Sequence, residues 1–151
     1  MSTALEIVMK LAGHETIAAQ YREITPAHLL IALSRFSNTE EFAEVDPEAS
    51  AAVRKEFEGL GIDPKRFRRR LRGLLGNGGA ENHKGVIHRS PSCKAIFAVA
   101  EHIAQSSGSH FSMHHLVCAA FVALGIEGLA DDHSQDSRPE DVPSSAIPGE
   151  L

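Results

Sequence analysis

The sequence predicts an all-α fold, a compact bundle of two pseudo-symmetric helical repeats, and three observations predict it. No stretch combines a two-residue apolar alternation with the β-branched content of a strand. Apolar residues instead recur at three- and four-residue spacing behind a series of capped helix starts. Two segments also carry one pattern twice: TALEIVMKLAGHETIAAQYREITPAHLLIALS over 3–34 and PSCKAIFAVAEHIAQSSGSHFSMHHLVCAAFVA over 91–123. In each, a helix with small and apolar residues on one face leads into a polar turn. A Ser or Thr then opens a second helix with a His-Leu pair in its first turn, which reads as an internal duplication.

The elements follow in order. Thr3 with Glu6 reads as a capping box ahead of the apolar stripe Leu5, Val8, Met9 and Ala12. Thr25-Pro26 sets a cap and a first-turn proline before Leu29, Leu30, Leu33 and Phe36. Asp46-Pro47 opens a third helix carrying Val53, Phe57 and Leu60, ended by Gly61. Asp63-Pro64 opens a fourth, with Phe67, Leu71, Leu74 and Leu75 on one side and Gly76 after it. The run GNGGAENHKG reads as a flexible connection between the repeats.

Ser90-Pro91 then starts the second copy. Its stripe Cys93, Ile96, Phe97, Ala100 and Ala104 repeats Leu5, Val8, Met9, Ala12 and Thr16 at a shift of about 88 positions. Ser112 caps a last helix with Leu116, Val117, Ala120, Phe121 and Leu124. The copies are unequal. FEGLGID (57–63) leads into the fourth helix, whereas FVALGIE (121–127) lies directly on the second helix of the second copy, which is expected to lack its third and fourth helices.

Composition narrows the function classes. The chain has 151 residues, 42% hydrophobic and 23% charged, enough for one domain with its own core. No apolar run approaches the roughly 18 residues of a membrane span, and no signal-peptide pattern opens the chain, so a cytoplasmic location without membrane contact is expected. Cys93 and Cys118 both fall in apolar helical patterns and are expected as buried free thiols. Residues 1–126 carry 14 Lys/Arg against 13 Asp/Glu, whereas 127–151 carry 1 against 7. That segment, rich in Ser, Pro and Asp, is expected to be a disordered tail or a linker.

The repeated helix followed by (Ser/Thr)-x-x-His-Leu, the LGID turn and the IHRSPSCKAIF start of the second copy resemble the Clp N-terminal repeat domain. This domain precedes the ATPase modules of Clp-type AAA+ unfoldases such as ClpA, ClpB and ClpC. The resemblance covers about residues 3–127 and lies in the ordered duplication more than in any one motif. It places a double-repeat domain at 1–127, with repeats at about 3–76 and 90–127 and an acidic tail at 128–151. It implies a non-catalytic module, needing no cofactor, that binds adaptor proteins or unfolded or tagged substrates for a Clp-type ATPase in cis or in trans. Ala27 and His114 stand where ClpC-like members carry the glutamates of their phosphoarginine sites, so that ligand is not carried over.

Other chemistries are weighed on the residues. The Gly78–Gly85 run lacks the Gly-Lys-Ser/Thr core of a phosphate-binding loop and follows a helix rather than a strand, so an ATPase would have to lie beyond residue 151. His114 and Cys118 are one helical turn apart near His110 and His115, a spacing that suits a metal, yet the helix reads as buried and no metal site is expected. No third residue or oxyanion feature supports a catalytic Cys–His pair. The basic run Lys65, Arg66, Arg68, Arg69, Arg70 and Arg72 is punctuated by Phe67 and Leu71, so it reads as one buried face with a cationic exterior. A nucleic-acid-binding role for that run is the alternative from another class, although the near-neutral body makes nucleic acid an unfavoured partner.

The expected binding residues are Thr3, Ala27, His28, His114 and His115, at helix starts whose N–H groups face a peptide acceptor. Glu40, Glu41 and Glu44 form an acidic loop expected either to contact basic segments or to be a polar connection pinned by Phe36 and Phe42. A free-standing adaptor or decoy for a separate unfoldase is the other expectation on the same fold.

Overall fold

Four helices begin at a residue pair that combines a side-chain cap with a first-turn proline. The cap satisfies one of the orphan N–H groups at the helix start, and the proline supplies the helical φ while removing another donor. The computed structural model describes residues 3–80 and 86–125, within which the chain is all-α with no strand. The expected tail at 128–151 lies outside the described residues. The helices are α1 (Thr3–Ala18), α2 (Pro26–Phe36), α3 (Pro47–Gly59), α4 (Pro64–Leu75), α5 (Pro91–Ser106) and α6 (Met113–Leu124).

The caps are those expected from the sequence. Thr25, Asp46, Asp63 and Ser90 accept the N–H groups of His28, Ala49, Arg66 and Cys93. Ser112 is the N-cap of α6. The exception is Thr3, which is the first helical residue of α1 and not its cap.

Helix α2 is the centre of the bundle and packs against each of the other five helices. Every residue from Ala27 to Ser34 is buried. Helix α1 lies along α2, α4 covers another side, and α6 carries α5 and α3. The rings of Phe57 (α3), Phe67 (α4) and Phe121 (α6) meet with centroids 5.2–5.7 Å apart, two of the three pairs edge to face. This cluster joins three helices that are separate in sequence.

The expected stripes are buried at Val8, Ala12, Leu29, Leu30, Leu33, Phe36, Val53, Phe57, Cys93, Ile96, Ala100, Leu116, Val117, Ala120 and Phe121. Two expected positions differ. Leu60 and Leu74 are exposed, at 45% and 68%. On α4 the buried row is Phe67, Leu71 and the partly buried Leu75, a four-residue step that leaves Leu74 facing out.

The described part of the connection after α4 is tied down where a free linker was expected. Gly78 N–H donates to Ala19 O at 2.8 Å, and Ala80 N–H donates to Gln20 O at 2.8 Å. A Cβ on Gly78 would sit 2.7 Å from both Gln20 O and the Tyr21 ring, so only glycine fits this approach. Residues 81–85 lie outside the described residues. Beyond them Ile24 N–H donates to His88 O and Ser90 N–H donates to Ile24 O, a one-residue parallel bridge that sets the starts of α2 and α5 side by side.

The aromatic cluster yields a test of the core. Phe121→Ala removes a ring shared by α3 and α4, and is expected to lower the unfolding free energy by about 3–5 kcal/mol in urea melts. A solvent-facing Leu74→Ala is expected to cost under about 0.5 kcal/mol.

Candidate binding surface around helix α4

The helix starts use histidine as a structural cap. Thr25 N–H donates to His28 Nδ1 at 3.1 Å, while His28 N–H returns to Thr25 Oγ1 at 3.4 Å. On α6, Ser112 N–H donates to His115 Nδ1 at 3.0 Å. Both imidazoles therefore do what a glutamate or glutamine does in a capping box. They are buried, His28 fully and His115 to 3% exposure, and Ala27 is buried beside His28.

This corrects the expectation that the capped first turns present these three residues to a partner. Thr3 and His114 are exposed and sit on different helix starts. His114 stacks on His115 with centroids 4.0 Å apart and shares Ser112 Oγ at 2.6 Å. Among the described residues no cluster of three or more His, Cys, Asp or Glu side chains suits a metal ion.

The acidic loop is folded. Asn38 Oδ1 accepts the N–H groups of Glu40 and Glu41, both at 3.2 Å, and the buried Phe42 ring lies 4.9 Å from that of Phe36. Glu40, Glu41 and Glu44 stand exposed on this pinned loop. The thiols are poor nucleophiles at neutral pH. Burial pushes Cys93 up to about 11. Burial, followed by the hydrogen bond and charge of Glu56, pushes Cys118 to about 11; its Sγ donates to Glu56 Oε1 at 3.3 Å.

Two concave surfaces lie along one flank of α4, one at each end of the helix. One pocket of about 360 Å³ opens between the end of α1, the start of α2 and the end of α4, lined by Glu15, His28, Ile31, Arg72 and Leu75 among others. A second, about 240 Å³, lies between α2, α3 and the start of α4, lined by Ser34, Glu40, Arg54, Asp63, Lys65 and Arg68. Lys65, Arg68 and Arg72, at i, i+3 and i+7, share this flank, and Glu40 lines the pocket at its start, so part of the basic run and the acidic loop share one surface.

Glu15 organises the first pocket. Its Oε1 accepts from Arg72 Nε at 3.1 Å and its Oε2 from Arg35 Nη1 at 3.4 Å, with Arg72 Nη2 also on Oε2. Burial alone would raise the Glu15 carboxyl; the hydrogen bond and charge of Arg72, with the charge of Arg35, outweigh it and hold the group below 4.5. Sequence reading missed Glu15 because it is a single acid in mid-helix. The available signal was its place beside the Ala12–Thr16 stripe, where an acid close to a buried face calls for a cation. Nearby, the Tyr21 hydroxyl donates to Leu75 O at 2.8 Å and its ring meets His28 edge-on at 4.8 Å.

No protein-family model matches the chain, and no curated protein matches it.

Two pH responses follow. Burial holds His28 below the usual 6.5, opposed by the charge of Glu15; burial and then His114 lower His115, opposed by Glu56. The unfolded imidazoles bind protons more readily, so this contribution to stability is complete above 6.5 and lost as pH falls through the lower folded values. A protonated ring cannot accept the cap N–H, which gives the same sign. The protein is expected to lose stability from about pH 7 to 5, and the His28→Gln/His115→Gln variant to be less stable but flatter over that window in thermal melts. Glu15 acts lower: its contribution is present above 4.5 and lost as pH falls through its depressed value. Glu15→Gln is expected to remove that loss while lowering neutral-pH stability.

Proposed function

We propose that the chain is a non-catalytic protein-recognition module of the Clp N-terminal type, binding adaptor or substrate segments for a Clp-type AAA+ unfoldase in cis or in trans. The observation that carries this reading is the polar, concave surface around α4. Two pockets lie at the two ends of one flank of α4 that carries Lys65, Arg68 and Arg72. Such a surface suits an extended polypeptide with acidic residues: the pockets set register and the helix attracts charge. Further support comes from the histidine capping box built at both α2 and α6, in line with the internal duplication on which the resemblance rests. No helix among the described residues is long and apolar enough to cross a membrane.

This reading assigns binding to the surface around α4, since Ala27, His28 and His115 at the helix starts are buried. The cationic run also suits nucleic acid, and one experiment separates the two readings. Fluorescence anisotropy would follow a labelled, chemically unfolded acidic protein and a labelled oligonucleotide, each at low and physiological salt. The unfolded protein is expected to bind at physiological salt, and Lys65→Glu/Arg69→Glu to weaken it by about tenfold, near 1.4 kcal/mol. Oligonucleotide binding that collapses steeply with salt, without capture of the unfolded protein, would replace this reading by the nucleic-acid one.

A further inference from the structure

The outward side of α4 carries positive charge that no side chain among the described residues pairs. On a turn of 3.6 residues, Arg66 and Arg69 stand opposite the buried row of Phe67, Leu71 and Leu75, with Lys65 beside them. All three are exposed, and their side chains form no ion pair among the described residues. Arg72 of the same helix, by contrast, is held by Glu15. Lys65 and Arg69 are four residues apart and Arg66 and Arg69 three, spacings at which like charges repel.

Their place along the helix adds to the imbalance. Lys65 and Arg66 lie in the first turn of α4, where the helix dipole favours acids, and that turn contains no acidic residue. Only the cap, Asp63, meets the dipole, its carboxylate accepting the Arg66 N–H at 3.0 Å. The acidic loop is fixed by Asn38, and its Glu40 lines the pocket on the Lys65–Arg68 flank. Arg66 and Arg69 lie farther round the helix from that flank.

The chain itself contains a matching counter-charge. Residues 127–136 hold Glu127, Asp131, Asp132 and Asp136 and no Lys or Arg. This segment follows a helix that ends close to α4. Phe121, in the last turn of α6, packs its ring 5.4 Å from that of Phe67, the residue after Arg66, and α6 ends at Leu124. The 12 residues of α4 make a helix about 18 Å long. Ten extended residues span up to roughly 33 Å, so the segment reaches every cation on that helix. A tether of this length sets an effective concentration in the millimolar range, which favours the chain's own acids over those of a free partner.

We propose that segment 127–136 of this chain docks on the cationic side of α4, with its carboxylates on Lys65, Arg66 and Arg69, and competes there with acidic partners. The docking rests on α4 and the segment alone; the competition rests on the protein-recognition reading.

Zero-length carbodiimide cross-linking of the full chain, read by mass spectrometry, tests the docking, because it joins an amine to a carboxylate only where they touch. In the monomer band at low salt, Lys65 is expected to link to segment 127–136 about fivefold more than the exposed Lys10, Lys55 and Lys94 do, and to lose this excess in about 0.5 M salt. Arg66→Gln/Arg69→Gln leaves Lys65 in place and is expected to reduce its link about threefold. The competition is read by fluorescence anisotropy with the labelled unfolded acidic protein. A variant with Glu127→Gln, Asp131→Asn, Asp132→Asn and Asp136→Asn is expected to bind that protein about fivefold more tightly.

Links spread evenly over the four lysines overturn the docking. So does a Lys65 link unchanged by Arg66→Gln/Arg69→Gln, which reports proximity without charge pairing. Lys65 links confined to a dimer band overturn the intramolecular contact in favour of a second copy. A selective Lys65 link with capture unchanged in the neutralised variant supports the docking and rejects the competition. The same link in a protein that captures no unfolded polypeptide, neutralised or not, supports the docking and rejects the recognition reading.

Discussion

The structure depends on the burial of α2. A helix whose residues from Ala27 to Ser34 are all buried must be covered on every side, and it must also begin inside the protein. The first demand is met by apolar surface from five neighbours. The second is harder, because the first turn of any helix carries N–H groups without helical partners. Thr25, Pro26 and His28 meet it together: a hydroxyl for one donor, a ring that removes another, and an imidazole that takes the cap's own N–H. Histidine at this position is therefore part of the folding solution, and its second nitrogen is what that solution leaves over.

Around this helix, charge is arranged by one residue. Helix α4 brings a dense row of guanidinium and ammonium groups against the bundle, and like charges at helical spacing repel. Glu15 sits where α1, α2 and α4 meet and accepts from Arg35 of α2 and Arg72 of α4. Exposed ion pairs contribute little, but the Glu15 side chain is only 13% exposed and holds two partners. It fixes the approach of α4 without neutralising it. One carboxylate shared by Arg35 and Arg72 ties α1 to both α2 and α4.

Most of the fold was legible because its signals are local. A cap, a proline and a three- or four-residue apolar period each act within one turn, and Thr25-Pro26, Asp46-Pro47, Asp63-Pro64 and Ser90-Pro91 all became helix starts. Thr3 departed because α1 extends one residue further than its Thr-Glu pair suggested. Leu74 departed because choosing it or Leu75 as the end of the buried row depends on the angle at which α4 meets α2. The site was mostly illegible for the same kind of reason. Glu15, His28 and Arg72 are far apart in sequence and converge only through packing. His28 was visible as a repeated motif, but a histidine in a first turn reads equally well as a ligand-binding group or as a cap. Only burial, with Nδ1 on the Thr25 N–H, distinguishes them. The tie from Gly78 to Ala19 was hidden in a run whose composition reads as linker.

The two histidine caps share their local chemistry but differ in what lies against them. At α2, His28 lies edge-on to the Tyr21 ring beside the cleft that α4 completes, with Glu15 as its facing acid. At α6, His115 is covered by His114 and lies near Phe111, and Glu56 of α3 is its nearest acid. A motif repeated in sequence therefore need not give a site repeated in space. Among the described residues, α3 and α4 follow α2 and pack against it, and α6 is the last helix. If the segments do descend from a duplication, the common inheritance is the cap, and the pocket arose from what packed beside it.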